Sequence, residues 1–356
     1  MRTAVVILNW NTRDLLARFL PPLQQSLQGL DAGLVVADNA STDGSRELLA
    51  ERFPEVLTLL LEENFGYTGG YNRAFGQLLD APDAPEFLVL MNSDIEVQPG
   101  WLEPLVEWMD THPGCAACGP KLHALVRDGD DFLRTGRFEY AGAAGGCIDR
   151  YGYPFCRGRV LSRTEEDTGQ YDRPADVLWV SGACLLVRAR CWKELGGLDG
   201  RFFAHMEEID WCWRAQLAGW RVNVVPQSCV WHLGGGTLAP ASPLKLKLNY
   251  RNGLLLLENN LPHTMRPGRA RCRIAVRKIL DCCAAIVYLL SGKRECARAV
   301  RDAHREYRQL RRETPVRPTH APGAAPAGIR NIRILLQAVL RGDRIFSYLR
   351  RYEDSH

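Results

Sequence analysis

Along residues 1–95, short apolar runs alternate with stretches whose apolar positions recur every three to four residues. Ala4 to Leu8, Leu34 to Ala37, Val56 to Leu61 and Phe87 to Met91 are too short and too continuously apolar for helices, and they read as strands buried on both faces. Between them, Thr12 to Gln28, Asp43 to Arg52 and Tyr71 to Leu79 carry helical periodicity. Such alternation with short connections predicts an α/β fold: a Rossmann-like, mostly parallel sheet with helices on both faces. Each strand ends in polar residues: Asn9 and Asn11 after the first, Asp38 and Asn39 after the second, Asn64 after the third, Asn92-Ser93-Asp94 after the fourth. One sheet edge therefore gathers polar groups from four strands, and ligands bind at that edge in open parallel sheets. Asp94 stands where a carboxylate can hold a metal or a phosphate-bound metal.

The connections carry further chemistry. Asp38-Asn39-Ala40-Ser41-Thr42-Asp43-Gly44-Ser45 couples a carboxylate to a helix start that Ser41 or Thr42 is suited to cap. A carboxylate at Asp38 can accept from a nucleobase or ribose. The stretch from Asn64 to Arg73 holds Gly66, Gly69 and Gly70 ahead of a helix, which lets backbone approach a ligand and brings helix N–H groups near it. It matches neither a P-loop nor the glycine fingerprint of dinucleotide folds. Residues 118–177 are less periodic and suit a substrate pocket of short strands and loops. Val177 to Val187 reads as a strand containing Ser181-Gly182-Ala183, and glycine inside a strand indicates close approach of a ligand or of another backbone. Gly196-Gly197-Leu198-Asp199 then leads into a helix expected from Glu207 to about Ala218.

Three carboxylates, Glu207, Glu208 and Asp210, crowd the first turn of that helix. Glu207 and Asp210 share a face and Glu208 points about 100° away from Glu207. Acidic residues in a first turn favour the helix dipole, but dipole compensation does not require three of them. A strand beginning near Gly219 delivers His232, and Gly234 to Thr237 beyond it suits a loop that closes over a ligand.

Charge changes the picture for the tail. Residues 1–262 carry 24 Lys and Arg against 33 Asp and Glu, a net of −9, whereas 263–356 carry 21 against 8, a net of +13. The expected division is a domain over 1–262, with halves 1–95 and 96–262, and a basic helical region over 263–356 containing a Pro/Ala/Gly linker at 314–328. Leu244 to Leu257 and Ile274 to Leu290 are helical patterns. A last basic helix, from Ile329 to about Tyr352, is of the kind that lies in a membrane interface. An anionic lipid surface is the partner favoured for this tail, over nucleic acid. Ile279 to Leu290, the best apolar run, is too short to span a bilayer and contains Asp281. Twelve cysteines behind an opening that reads as a strand and not as a signal peptide suggest free thiols in a reducing compartment. Cys115, Cys118, Cys147 and Cys156 lack the spacing of a zinc site and read as buried small hydrophobes.

Taken together and in order, Val5 to Asn11, the Asp38 to Ser45 block, Asn64 to Asn72, Leu90 to Asp94, Ser181 to Ala183, Gly196 to Asp199, Phe203 to Trp213 and His232 resemble the family 2 glycosyltransferases of the GT-A fold, in particular the bacterial branch that includes rhamnosyltransferases. The resemblance covers roughly residues 3–260. It implies an inverting transferase that moves a sugar from a nucleotide-diphosphate sugar to a glycan or to a polyprenyl- or lipid-linked acceptor in surface polysaccharide synthesis, with Mg²⁺ or Mn²⁺ as cofactor. The family's Asp-x-Asp segment falls on Asn92-Ser93-Asp94, with Asn in place of the first Asp, so Asp94 is the main carboxylate on the metal and His232 joins the metal or the diphosphate. The base position of the pattern Glu-Asp-x-Asp is Glu208, a Glu where Asp is usual, with Glu207 and Asp210 as further candidates. Substrate contacts are implied at Asn9, Asn11, Asp38, Asn39, Asn64, Gly66, Gly69, Asn72, Asn92, Ser181 and Gly182. Location in the cytoplasm, peripheral on the inner face of the plasma membrane, suits such an acceptor.

Two other classes share parts of this pattern. A nucleotidyltransferase acting on sugar phosphates would share the sheet and the carboxylate but wants a glycine-rich basic loop after the first strand, which Asn9-Trp10-Asn11-Thr12-Arg13 does not resemble. A non-catalytic nucleotide-sugar-binding or membrane adaptor protein accounts for the tail and leaves the polar strand ends unexplained.

Overall fold

The computed structural model describes residues 1–234, 242–313 and 325–355. Its first half follows the predicted alternation: β1 (Thr3–Asn9), α1 (Arg13–Ser26), β2 (Ala32–Asp38), α2 (Ser45–Arg52), β3 (Leu57–Leu60), α3 (Gly66–Leu79) and β4 (Phe87–Met91). The parallel ladder β3–β2–β1–β4 keeps Asn9 level with Asp38, so the polar strand ends share one edge. Next come β5 (Ile95–Glu96), α4 (Glu103–Thr111), β6 (Cys115–Asp128), β7 (Asp131–Phe138), the short strands β8 (Gly146–Ile148), β9 (Pro154–Cys156), β10 (Arg159–Val160), β11 (Arg163–Thr164) and β12 (Ala175–Asp176), then β13 (Cys184–Arg188), α5 (Ala189–Leu195), α6 (Glu207–Leu217) and β14 (Arg221–His232). Beyond β4 the sheet turns mixed, because β13 runs antiparallel to both β4 and β6 while β14 runs parallel to β6. A strand buried on both faces looks the same in either direction, so periodicity alone did not distinguish the two.

Two local differences matter for the site. Helix α3 begins at Gly66, five residues before the expected start, so the glycine-rich stretch is its first turns and not a loop. Gly70 there lies so close to Leu8 that an added Cβ would stand 2.6 Å from a leucine methyl, which explains the glycine. Ser181-Gly182-Ala183, expected inside a strand, forms the turn that precedes β13. Strand β14 tolerates Pro226 because its ladder to β6 is interrupted between Val224 and Cys229; its far end then pairs with β5, His232 opposite Ile95.

The tail folds onto this body. Helices α7 (Pro243–Thr264), α8 (Pro267–Leu290) and α9 (Arg294–Glu313) pack on one another, and α7 reaches α6. The division expected after residue 262 falls within α7. Of the expected linker, 314–324 lie outside the described residues, as do 235–237 of the loop expected from Gly234 to Thr237. Residues 327 and 328 are anchored: Ala327 N–H donates to Gln216 Oε1 at 2.7 Å, and Gly328 O accepts from Ile148 N–H at 3.0 Å. The single last helix expected from Ile329 to Tyr352 is instead an extended segment followed by α10 (Ile334–Arg341) and α11 (Ile345–Asp354), broken at Gly342, whose φ of +52° a helix cannot hold. Ile334, Ala338, Ile345 and Phe346 are buried with Cys147, Phe155 and Val160 of the small sheet β8–β11. Cys115, Cys118, Cys147 and Cys156 are all buried free thiols, and burial pushes Cys156 up to about 11. No helix among the described residues is long and apolar enough to cross a membrane.

Candidate active site

Strand pairing builds the first corner. Because β5 pairs with the end of β14, His232 Nε2 lies 3.1 Å from Asp94 Oδ1, with Asn92 Nδ2 at 3.4 Å from the same nitrogen. His232 Nδ1 faces Glu139 Oε2 at 3.3 Å without an aligned hydrogen bond. Burial opposes charge on the imidazole, yet the flanking carboxylates of Asp94 and Glu139 hold its pKa well above the usual value. Two donors bound cis at about 2.1 Å on an octahedral ion stand about 3 Å apart, so the Asp94–His232 separation fits Mg²⁺ or Mn²⁺. Among the described residues no three His, Cys, Asp or Glu side chains converge on one point, so a diphosphate and water would have to complete the shell. Glu139, in the irregular segment after β7, was missed in the sequence, where no periodicity marks it.

The β1–β2 edge is a closed scaffold. Asn9 is buried and donates to Asp38 Oδ2 at 2.9 Å and Ser41 Oγ at 3.0 Å, while Thr12 Oγ1 donates to its Oδ1 at 2.6 Å. Asp38 is fully buried. It accepts from Asn9, from Ser41 N–H at 3.0 Å and from Arg46 Nε at 2.6 Å. Against the cost of burial, Ser41, Arg46 and Asn9 keep its pKa below the ordinary value. The open acceptor expected at Asp38 is therefore occupied by the protein's own donors. Asn11 Oδ1 accepts from Thr42 N–H at 2.7 Å. Asn39 joins the end of β2 to Asn64 Oδ1 at 2.9 Å and to Phe65 N–H at 3.0 Å, and Asn64 Oδ1 also accepts from Gly66 N–H. The α3 N–H groups expected to face a ligand are committed too: Tyr67 and Thr68 N–H donate to Phe203 O at 2.9 and 3.1 Å. Gly66 lets Phe203 pack there, its φ being +68° and its missing Cβ only 2.5 Å from that ring; Gly69 lies against Phe65. Asn72 holds the Leu198 backbone through both ends of its amide.

The second corner is the start of α6. Three non-glycine residues, Phe203, His205 and Met206, have φ of +63° to +70° immediately before it, a cluster of strain seen mostly at functional turns. Helix α7 grips this turn. Asn252 Nδ2 reaches the carbonyls of Phe202, Ala204 and His205, and Arg251 that of Phe202 at 2.7 Å. The turn delivers the three carboxylates into different surroundings. Asp210 is fully buried, paired with Arg214 Nε at 2.7 Å and accepting from Asn259 and Asn260 at 2.9 Å each, so its charge is spent inside the protein. Glu207 and Glu208 each keep a buried oxygen without a hydrogen-bond partner. Burial pushes Glu208 up to about 7, moderated by N–H groups of residues 208, 209, 182 and 206, and raises Glu207 well above the carboxylate range, helped by its neighbour Glu208. Glu207 is buried, whereas Glu208 remains partly exposed.

One turn joins the corners. Gly182 lies beside Glu208, an added Cβ standing 3.6 Å from the Cβ of Glu208, and its carbonyl accepts from Tyr67 Oη at 2.7 Å. The next residue, Ala183, accepts through its carbonyl from Asn92 N–H at 3.0 Å, and Ser181 Oγ holds Ala183 N–H. Sequence reasoning placed Asp94 and His232 at one sheet edge and Glu208 in the first turn of a helix, and missed Glu139, Arg251, Asn252, Asn259 and Asn260. The asparagines lie on a helix whose apolar pattern hid them, although Arg251-Asn252 and Asn259-Asn260, two paired polar breaks in that pattern, were a signal. A groove between β7 and α11, lined by Arg137, Glu166 and Arg350, contains none of these residues.

Comparison with known proteins bears on what this arrangement is. Residues 4–158 match the model of glycosyl transferase family 2. An N-acetylglucosaminyl-diphospho-decaprenol L-rhamnosyltransferase of Mycobacterium tuberculosis is 31% identical over 236 residues, 64% of this chain and 75% of that protein. The O-antigen biosynthesis protein RfbC of Myxococcus xanthus is 28% identical over 203 residues, 56% of this chain and 14% of that protein. Among solved structures, GalNAc-T7 with UDP, GalNAc and Mn²⁺ superposes with a TM-score of 0.53 at 18% identity, over 73% of this chain and 48% of that one. The mannosyltransferase PcManGT of Pyrobaculum calidifontis, with GDP-Man and Mn²⁺, gives a TM-score of 0.50 at 15% identity over 88% and 79%. The fold is that of GT-A glycosyltransferases.

Proposed function

Because the chain belongs to glycosyl transferase family 2, we propose that it transfers a deoxyhexose such as rhamnose, with inversion, from a nucleotide-diphosphate sugar to a polyprenyl-diphosphate-linked saccharide during cell-surface polysaccharide synthesis. The observation that carries the chemistry is Glu208: a partly exposed residue whose carboxylate keeps a buried oxygen without a partner, beside the turn that runs to Asn92. Burial raises its proton affinity towards neutrality, where a general base works best. Glu208 takes the proton of the acceptor hydroxyl as that oxygen attacks the anomeric carbon, and the bond to the nucleotide diphosphate breaks on the opposite face. Asp94 and His232 are the residues that hold the cation, and Glu139 orients the imidazole from behind. When bound, Mg²⁺ or Mn²⁺ neutralises charge on the departing diphosphate. Asp210, paired with Arg214 and held by Asn259 and Asn260, positions α6. The relatives' decaprenol-linked acceptor and the Mn²⁺ of the similar folds support this reading. Such an acceptor supports a reaction at a membrane surface, and we propose its cytoplasmic face.

The test is a panel of nucleotide sugars offered with a lipid-diphosphate-linked saccharide and Mn²⁺, the product's anomeric configuration being read by NMR. Transfer with inversion is expected. Transfer with retention, or hydrolysis without transfer to any saccharide acceptor, overturns the proposal.

A further inference from the structure

The C-terminal half of helix α8 hides its charge and shows its apolar side chains. Ile279, Ile286, Val287, Leu289 and Leu290 are 55% to 84% exposed, and Cys282 and Cys283 are exposed between them. Most of these positions follow the three-and-four spacing of one helix face. The only charged residue from 279 to 290, Asp281, is turned inward: it is fully buried, accepts from Arg277 Nε at 2.9 Å and meets His304 Nε2 of α9 at 3.2 Å. The aspartate that weakens this run in the sequence thus belongs to the opposite, packed face. Immediately beyond, the turn at Gly292 and Lys293 leads into α9, whose exposed Arg294, Arg298, Arg301, Arg305, Arg308 and Arg312 again recur every three to four residues. An apolar stripe and an arginine stripe therefore lie on adjacent helices joined by a basic turn.

We propose that this α8–α9 hairpin is the surface by which the protein docks on an anionic lipid bilayer, the C-terminal half of α8 entering the headgroup boundary and the α9 arginines meeting lipid phosphates. The inference deepens the function proposed above and rests on it for why a bilayer is the partner. The stripe is about 18 Å long at 1.5 Å per residue, too short to span about 30 Å of hydrocarbon and suited to lying in the interface. A row of arginines disfavours a second copy of the same face, because like charges would be brought together, and favours an anionic partner. It also moves the membrane surface away from the last helix expected in the sequence: Ile334, Ala338, Ile345 and Phe346 of α10 and α11 are used in packing on the small sheet. A lesser exposed group remains on α10, at Leu336, Val339 and Leu340.

The experiment is co-sedimentation of the full chain, without donor or acceptor, with vesicles of phosphatidylglycerol and phosphatidylcholine in equal parts and of phosphatidylcholine alone. Wild type is expected to partition onto the anionic vesicles in a salt-sensitive way. Ile286→Glu combined with Val287→Glu, both more than half exposed and so compatible with folding, should weaken partitioning at least about tenfold, and Arg298→Glu with Arg305→Glu should remove the preference for anionic lipid. Turnover of a short water-soluble acceptor should be unchanged in both pairs, which separates a failed surface from a failed catalytic reading. Equal partitioning of wild type and Ile286→Glu/Val287→Glu overturns the proposal, as does loss of binding in Val339→Glu alone. A wild-type dimer in solution that the α8 pair dissociates, without vesicle binding, assigns the face to a second copy and overturns it too.

Discussion

The side-chain amide of Asn252 donates to the carbonyl of His205 at 2.7 Å, across 47 residues of sequence, and so fastens α7 to the strained turn that launches α6. The same nitrogen reaches Ala204 O at 2.7 Å, while on the other side Phe203 O accepts from the start of α3. The direction in which Glu208 leaves that turn therefore depends on an asparagine of a different helix, which holds the turn by its carbonyls.

Asn252→Asp replaces the donor by a carboxylate facing carbonyl oxygens. The expected result is a kcat lower by about 10- to 100-fold, the scale of a small misplacement of a reacting group, with the donor KM nearly unchanged. Asn252→Gln, which keeps the amide, should recover part of the rate. Steady-state kinetics beside a melting curve decide it: a folded Asn252→Asp enzyme with wild-type kcat removes Asn252 from the positioning of Glu208.

Glu208→Gln keeps the shape and loses the proton acceptor. Its kcat at saturating donor should fall roughly 10²- to 10⁴-fold while nucleoside diphosphate binding stays the same. Asp210→Asn should behave differently, because it leaves the buried Arg214 without its counter-charge: a stability loss of about 3 kcal/mol or more, read by denaturant unfolding, and a near-normal kcat in the protein that remains folded. A stable Asp210→Asn enzyme without turnover would exchange the two roles.

The raised pKa of Glu208 predicts two pH effects of opposite sense. Activity needs the carboxylate, so kcat should rise with pH along a limb centred near 7. Stability moves the other way. Between the ordinary value of 4.5 and about 7 the native state holds a proton that the unfolded state has lost, so this contribution is present below 4.5 and declines as pH rises through 7. Glu207 acts in the same direction, and the pair titrates together. Melting temperatures across this range, compared with Glu208→Gln, test it: the variant's decline should be shallower.

Asp94→Ala and His232→Ala should weaken Mn²⁺-dependent binding of a nucleoside diphosphate by calorimetry. Glu139→Gln, one shell further out, should cost roughly 10- to 100-fold in Mn²⁺ affinity, as outer partners of a metal-bound histidine do. Unchanged binding in Asp94→Ala would take the cation away from this corner.

Much of this protein is legible in its residues. Strand and helix periods depend on neighbours within a few positions, so Phe87 to Met91 announces a buried strand and Asp94 its polar end without any tertiary knowledge. The order of the motifs likewise carries the family. What tertiary structure alone decides is which polar groups remain free. Glu207, Glu208 and Asp210 look alike in sequence, yet Asn259 and Asn260, about 50 positions away, meet Asp210 and help Arg214 neutralise it, leaving Glu208 open. Asp38 looks like an open acceptor until Arg46 and Asn9 close around it. Asp281 looks like a charge on an apolar helix until packing turns it inward and leaves Ile286 and Val287 facing outward. In each case the deciding term is desolvation balanced by a partner distant in sequence, which no local pattern of apolar and polar residues encodes.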